Sequence, residues 1–239
     1  MSAVPAPLDV VRLHLSKRYS MFVVPLFIVA GVFVVTAVIA LAFQRLAAGA
    51  DMADAIDGAR QNPAVAWALS GFMVALGVQG VATAFPFSLA LGTTRRTFTL
   101  GTLLTNGLIA VYVTAIFLAL LGLELLTNHW FVGIHLVDVY ILGAADPLQL
   151  AVIVFLGALT LLSAGSAFGA AWTRFGPTGA AVLGMGLGLL LALALLLLAP
   201  SLPDIAASFR AWWLAVAAGI LIVAASLGTL LFLRGASVR

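Results

Sequence analysis

Long apolar runs separated by short polar segments set the pattern of this chain. Six runs are long enough to matter: Met21–Phe43, Ala64–Leu91, Thr99–Leu125, Leu148–Ala171, Thr178–Ala199 and Ala211–Leu233. A bilayer core of ~30 Å is crossed by a helix of about 20 apolar residues. The pattern therefore predicts an all-α membrane protein with six transmembrane helices. Asn62-Pro63 and Asp146-Pro147 stand just before the second and fourth runs. Each pairs a capping side chain with a proline at the first helical position. Gly176-Pro177 separates the fourth run from the fifth, and Pro200 with Pro203 closes the fifth.

Composition agrees with lipid as the solvent. Hydrophobic residues make up 64% of the 239 and charged residues only 8%, against roughly a quarter charged in soluble domains. No internal shift in composition marks off a soluble part, so residues 1–239 read as one transmembrane domain. There are no cysteines, which excludes disulfides and thiol chemistry. The first apolar run is too long for the core of a cleaved signal peptide.

Charge supplies an orientation. Arg12, Lys17, Arg18, Arg95, Arg96, Arg174, Arg234 and Arg239 fall on one side of the six-run topology, and only Arg45, Arg60 and Arg210 on the other. By the positive-inside rule the first side is cytoplasmic, so both termini are expected inside a plasma membrane. Asp51, Asp54, Asp57, Glu124, Asp138, Asp146 and Asp204 all lie on the arginine-poor side. The five tryptophans fall at or just beyond run ends, where indole prefers the interface. A five-span alternative, with one long broken segment across Trp172–Thr178, would put the C-terminus outside. Arg234 and Arg239 favour six.

The spans lack ionisable groups in their middles; Glu124 sits at an outer end. Ion-coupled transporters and charge-selective channels normally place such groups there. Gln79, near the centre of the second span, is expected either to make an interhelical hydrogen bond or to line a translocation path. A P-loop needs a lysine after a glycine-rich turn, and the only lysine is Lys17, so no nucleotide site is expected in this chain. Ser163-Ala164-Gly165-Ser166 lacks an intramembrane protease pattern, and Asp57-Gly58-Ala59-Arg60 has the wrong spacing for a phosphatidyltransferase. His129 and His135, with Asp138, do not fit H-E-x-x-H spacing, and no metal site is expected from them. Catalytic residues are not expected, and the basic clusters do not form the stripe of a nucleic-acid binder. The small-xxx-small sequences at Gly165–Gly169 and Gly184–Gly188 permit close helix approach without saying which helices meet.

Two segments on the arginine-rich side are more specific. In Leu8–Tyr19, Leu8, Val11, Leu15 and Tyr19 recur at helical spacing opposite Asp9, Arg12, Ser16 and Lys17. Such an amphipathic helix would lie in the inner headgroup region against membrane lipid, with a disordered basic tail as the alternative. Between the second and third spans runs Leu91-Gly92-Thr93-Thr94-Arg95-Arg96-Thr97-Phe98-Thr99-Leu100-Gly101. Adjacent arginines there either anchor the hairpin to anionic lipid or dock a cytosolic partner through bidentate pairing with carboxylates, with Phe98 as an apolar anchor.

At Gly92, Arg95, Arg96, Phe98 and Gly101 the chain resembles the permease subunit of a type-2 (ABC-2 type) ABC exporter. The N-terminal amphipathic helix, span count and topology extend the resemblance over most of the chain. It implies a subunit that pairs with a second permease copy or a paralogous permease and with a separate ABC ATPase. ATP and Mg²⁺ would then be bound by that ATPase, and the second-to-third-span loop would form the coupling helix. One departure from the family is the modest outer segment after the fifth span, Pro200–Arg210, which has room for a short re-entrant piece of the kind some relatives have but whose polarity does not require one. The alternative is a six-span substrate-binding or passive transporter subunit not powered by ATP. The substrate is not legible in the apolar spans.

Overall fold

The computed structural model describes residues 6–16, 19–46, 58, 60–62, 64–208 and 210–236. Lys17, Arg18 and Arg239 lie outside that set. The described residues form helices and turns, without strands. In chain order these are α1 (Pro7–Leu15), α2 (Val24–Leu46, entered through a π turn at Tyr19–Val23), α3 (Ala64–Ala90), α4 (Arg95–Leu126), α5 (Pro147–Leu198), α6 (Leu202–Ser208) and α7 (Ala211–Arg234). The capping signals work as expected. Asn62 Oδ1 accepts the Ala64 N–H at 3.1 Å, and Asp146 Oδ1 accepts those of Leu148 and Gln149 at 2.8 and 3.2 Å.

Five helices among the described residues are long and apolar enough to cross a membrane, where the sequence pattern predicts six. The difference lies in α5, which joins the fourth and fifth runs into one element broken at Gly176. That residue has φ 72° and ψ −162°, a region open essentially to glycine alone. Pro177 behind it disfavours helical backbone. The chain doubles back there. In a straight helix Ala171 and Gly179 would be roughly 12 Å apart along the axis, and Phe168 and Gly184 roughly 24 Å. A Cβ on Gly179 would instead stand 3.1 Å from the Ala171 carbonyl oxygen, and one on Gly184 3.6 Å from the Phe168 ring. In the segment with room for a re-entrant piece, α6 has only seven residues, too few to cross.

Packing divides the chain into two compact units. The first comprises Met1–His14, Val74–Asn106 and Thr160–Arg239. Within it, α3 and α5 cross where side chains are missing. A Cβ on Gly165 would strike the Val74 carbonyl oxygen, one on Gly77 the Leu162 carbonyl, and one on Gly169 would lie 2.6 Å from the Val78 carbonyl. The first small-xxx-small sequence thus meets α3 backbone to backbone. The α1 helix packs Val10, Val11 and His14 inward and leaves Leu8 exposed. Gly101 makes room for it, since a Cβ there would come 2.5 Å from Val10 Cβ and 2.7 Å from the Pro7 carbonyl. His14 follows, with its ring centroid 5.8 Å from that of Phe98 and its Nε2 3.3 Å from Thr102 Oγ1.

The second unit comprises Leu15–Met73 and Gly107–Leu159. Tyr112 donates to the Phe22 carbonyl at 2.7 Å and meets its ring edge-on. The segment after α4 is organised by Glu124, which is fully buried. Its carboxylate accepts the backbone N–H groups of Leu136, Val137 and Asp138 at 3.0, 2.8 and 3.3 Å. Asn128, His129, Trp130 and Phe131 all have positive φ, costing roughly 1–2 kcal/mol per residue for non-glycine side chains. The structure holds this left-handed turn from both sides through Asp138, whose Oδ1 accepts from Arg60 at 2.7 Å and whose Oδ2 lies 3.1 Å from His129 Nε2. Burial alone would raise the Asp138 carboxyl, but the hydrogen bonds from Arg60 and His129 outweigh it and hold it below the ordinary carboxylate range. Burial, aided by His129, keeps His135 less basic than an ordinary histidine, against the pull of Asp138 and Glu124.

Glu124→Gln tests this arrangement. The amide retains one acceptor oxygen but turns an NH₂ toward backbone donors. A loss of about 1–3 kcal/mol is expected, read as a lower melting temperature of the purified chain.

Candidate functional site

The hairpin between α3 and α4 is fixed by its own backbone chemistry. Gly92 has φ +81° and ends α3 in a Schellman arrangement. Its N–H bonds the Leu89 carbonyl at 2.9 Å, and the Thr93 N–H reaches Ser88 at 3.1 Å. Thr94 then caps α4, its Oγ1 accepting the Thr97 N–H at 3.1 Å. Only Leu91–Thr94 remain as a turn. Of the stretch expected to form a coupling helix, Arg95–Gly101 makes the first two turns of α4.

The two adjacent arginines part company. Arg95 turns back onto the C-terminus of α7, whose last carbonyls have no partners within their own helix. Its Nη1 donates to the Leu233 carbonyl at 2.6 Å and to that of Arg234, and its Nη2 to Ala236 at 2.9 Å. A cation is favoured there by the helix dipole as well. Arg174 approaches the same helix end, 3.4 Å from the Leu231 carbonyl, with its guanidinium 4.7 Å over the Phe175 ring. Arg96, one residue on, is exposed.

Phe98 is fully buried, and so is not available as the exposed apolar anchor expected from sequence. It packs edge-on to Phe85 at 5.2 Å, in a core with Val10, Val81, Ala170 and Leu233. Gly101 makes room for α1. Of the five motif residues, Gly92, Arg95, Phe98 and Gly101 build the support, and Arg96 is what the support presents.

Compared with protein families, curated proteins and solved structures, the chain matches none. The residues must carry the reading.

Gln79 is exposed, and its backbone carbonyl accepts from Thr83 Oγ1 at 2.7 Å. The buried polar groups of this unit lie elsewhere. Asn106 Nδ2 donates to Ser166 Oγ at 3.1 Å. Around that bond a narrow cavity is lined by Thr99, Thr102, Leu103, Asn106, Ser163, Ser166, Ser226 and Thr229. It has room for about one water molecule. Ser163 Oγ is buried there without a hydrogen-bond partner. Most of the other hydroxyls donate to carbonyls of the preceding turn, Thr102 to Phe98 and Thr229 to Ala225, for example. They make a polar seam with no ionisable group among its lining residues. The signal was present in the sequence: Thr99, Thr102 and Asn106 share one helical face, and Ser163/Ser166 and Ser226/Thr229 repeat at i, i+3. Gln79 stands out in the sequence as a lone strong polar group at depth, whereas this seam is a stripe of weaker ones.

Proposed function

We propose that this chain is the transmembrane permease subunit of an ATP-driven ABC exporter of the ABC-2 type, working with a separate ATPase subunit and a second permease. The observation that carries the reading is the division of labour between Arg95 and Arg96. Arg95 fastens the start of α4 to the end of α7, and Arg96 stands exposed on the same turn. A push on Arg96 is therefore a push on α4 and, through Arg95, on α7. That is what a partner outside the bilayer needs in order to move helices inside it. The single lysine and the missing P-loop favour a motor on another polypeptide, which would bind ATP and Mg²⁺.

The chain reversal at Gly176 supports six crossings, with α5 contributing two antiparallel spans. An even number agrees with arginines near both ends and with N-in/C-in topology in the plasma membrane. The seam around Asn106 is the polar route this reading offers to a moving substrate, ahead of Gln79. Its hydroxyls and amide suit a largely apolar cargo with a few hydrogen-bonding groups. The test is whether an ATP-hydrolysing subunit purifies with the chain in fixed ratio.

A further inference from the structure

The segment after α4 gathers four side chains the transport reading does not use. Asp138 Oδ2 lies 3.1 Å from His129 Nε2 and 3.3 Å from His135 Nδ1. The two imidazole centroids are 4.1 Å apart. Ligand atoms of Glu124, His129 and His135 all fall within 4.8 Å of one another. We propose that His129, His135 and Asp138, with Glu124 beside them, form a binding site for a transition-metal dication of the zinc class.

Geometry comes first. Zinc holds nitrogen and carboxylate oxygen at about 2.0–2.2 Å, almost always tetrahedrally in structural sites. The edge of such a tetrahedron is roughly 3.3–3.5 Å by that geometry. The distances from Asp138 Oδ2 to the two histidine nitrogens are close to it, so a small inward adjustment of rings would seat an ion among them. Glu124 or a water would complete four ligands.

A second observation is independent of those distances. His135 Nδ1 is buried and makes no hydrogen bond; its 3.3 Å approach to Asp138 lacks hydrogen-bond geometry. The His135 side chain is 7% exposed. Buried polar atoms are nearly always partnered, and an imidazole nitrogen aimed at a carboxylate oxygen without bonding it is what a metal ligand requires.

The surroundings supply the outer support that metal ligands need. Arg60 occupies Oδ1 of Asp138 at 2.7 Å, fixing the carboxylate with Oδ2 toward the histidines. Glu124 clamps the backbone of Leu136, Val137 and Asp138. Two imidazoles with carboxylate select zinc, nickel or copper over calcium and magnesium, which prefer all-oxygen shells. His129, one quarter exposed, gives the ion a way in.

The experiment uses the full chain, free of any histidine tag, purified in detergent and titrated with Zn²⁺ by calorimetry. Melting curves are recorded with and without the metal. One Zn²⁺ per chain is expected, with a rise in melting temperature that Mg²⁺ does not reproduce. His129→Gln, at the more exposed ligand, should raise Kd at least about ten-fold and lose the Zn²⁺-induced rise in melting temperature, while eluting like the metal-free parent. Saturable binding unchanged in His129→Gln and in His135→Gln, or no stoichiometric binding by the parent, overturns the proposal and leaves the cluster an ion-pair network.

Discussion

Replacing Gly165 with alanine should cost about 3 kcal/mol, the upper end for a single overpacked methyl. The new Cβ would land on the carbonyl oxygen of Val74. That obstacle is backbone within α3, so it yields only if the helix moves. Gly77, opposite, already lacks a Cβ for the same reason, and no side chain nearby can rotate away. Gly188 is the control. It lies in α5 beyond the reversal with nothing within 4 Å of its would-be Cβ, and Gly188→Ala should change stability by no more than about 0.5 kcal/mol. Denaturant unfolding of both variants in mixed micelles checks the contrast. Equal stabilities would mean that α3 and α5 do not cross at these glycines.

The second large effect separates two arginines that look equivalent in sequence. Arg96→Glu should leave the fold and melting temperature near those of the parent, because the side chain is exposed. It should reduce ATPase stimulation by a reconstituted partner at least about ten-fold, as loss of an interfacial arginine worth 2 kcal/mol or more would. Arg95→Glu should instead lower stability by about 2 kcal/mol, since it removes charge-assisted bonds to three carbonyls and sets a negative charge at a helix C-terminus. Melting curves and stimulated hydrolysis, measured on both variants, tell the two roles apart. If Arg96→Glu retains full stimulation, the exposed arginine serves some other surface, such as lipid.

These contrasts show where sequence reading carried and where it stopped. The apolar runs, the Asn62 and Asp146 caps and the break at Gly176 were legible because each depends on local chemistry. What Gly176 does was only half legible. Gly-Pro announces an interruption, but whether the helix bends or reverses depends on a ψ that no neighbour in the sequence dictates. What α1 packs against was not legible either. Val10 fills the gap left at Gly101, about ninety residues away in the chain, and nothing within the helix points there. Asn106 was missed because its importance comes from Ser166 on another helix. The loop after α4 differs. His129, His135 and Asp138 are near one another in sequence, but their spacing matches no metal motif, and it is a left-handed turn and the Glu124 carboxylate that bring them together.

In the proposed exporter the motor subunit docks at Arg96. The most direct test is purification from the native membrane after mild solubilisation, with ATP hydrolysis measured on the eluate. A P-loop subunit in fixed ratio to the chain is expected, with hydrolysis that follows it through size exclusion, both lost in Arg96→Glu. A chain that elutes without any nucleotide-hydrolysing partner, yet still moves its cargo across reconstituted vesicles, would contradict the proposal.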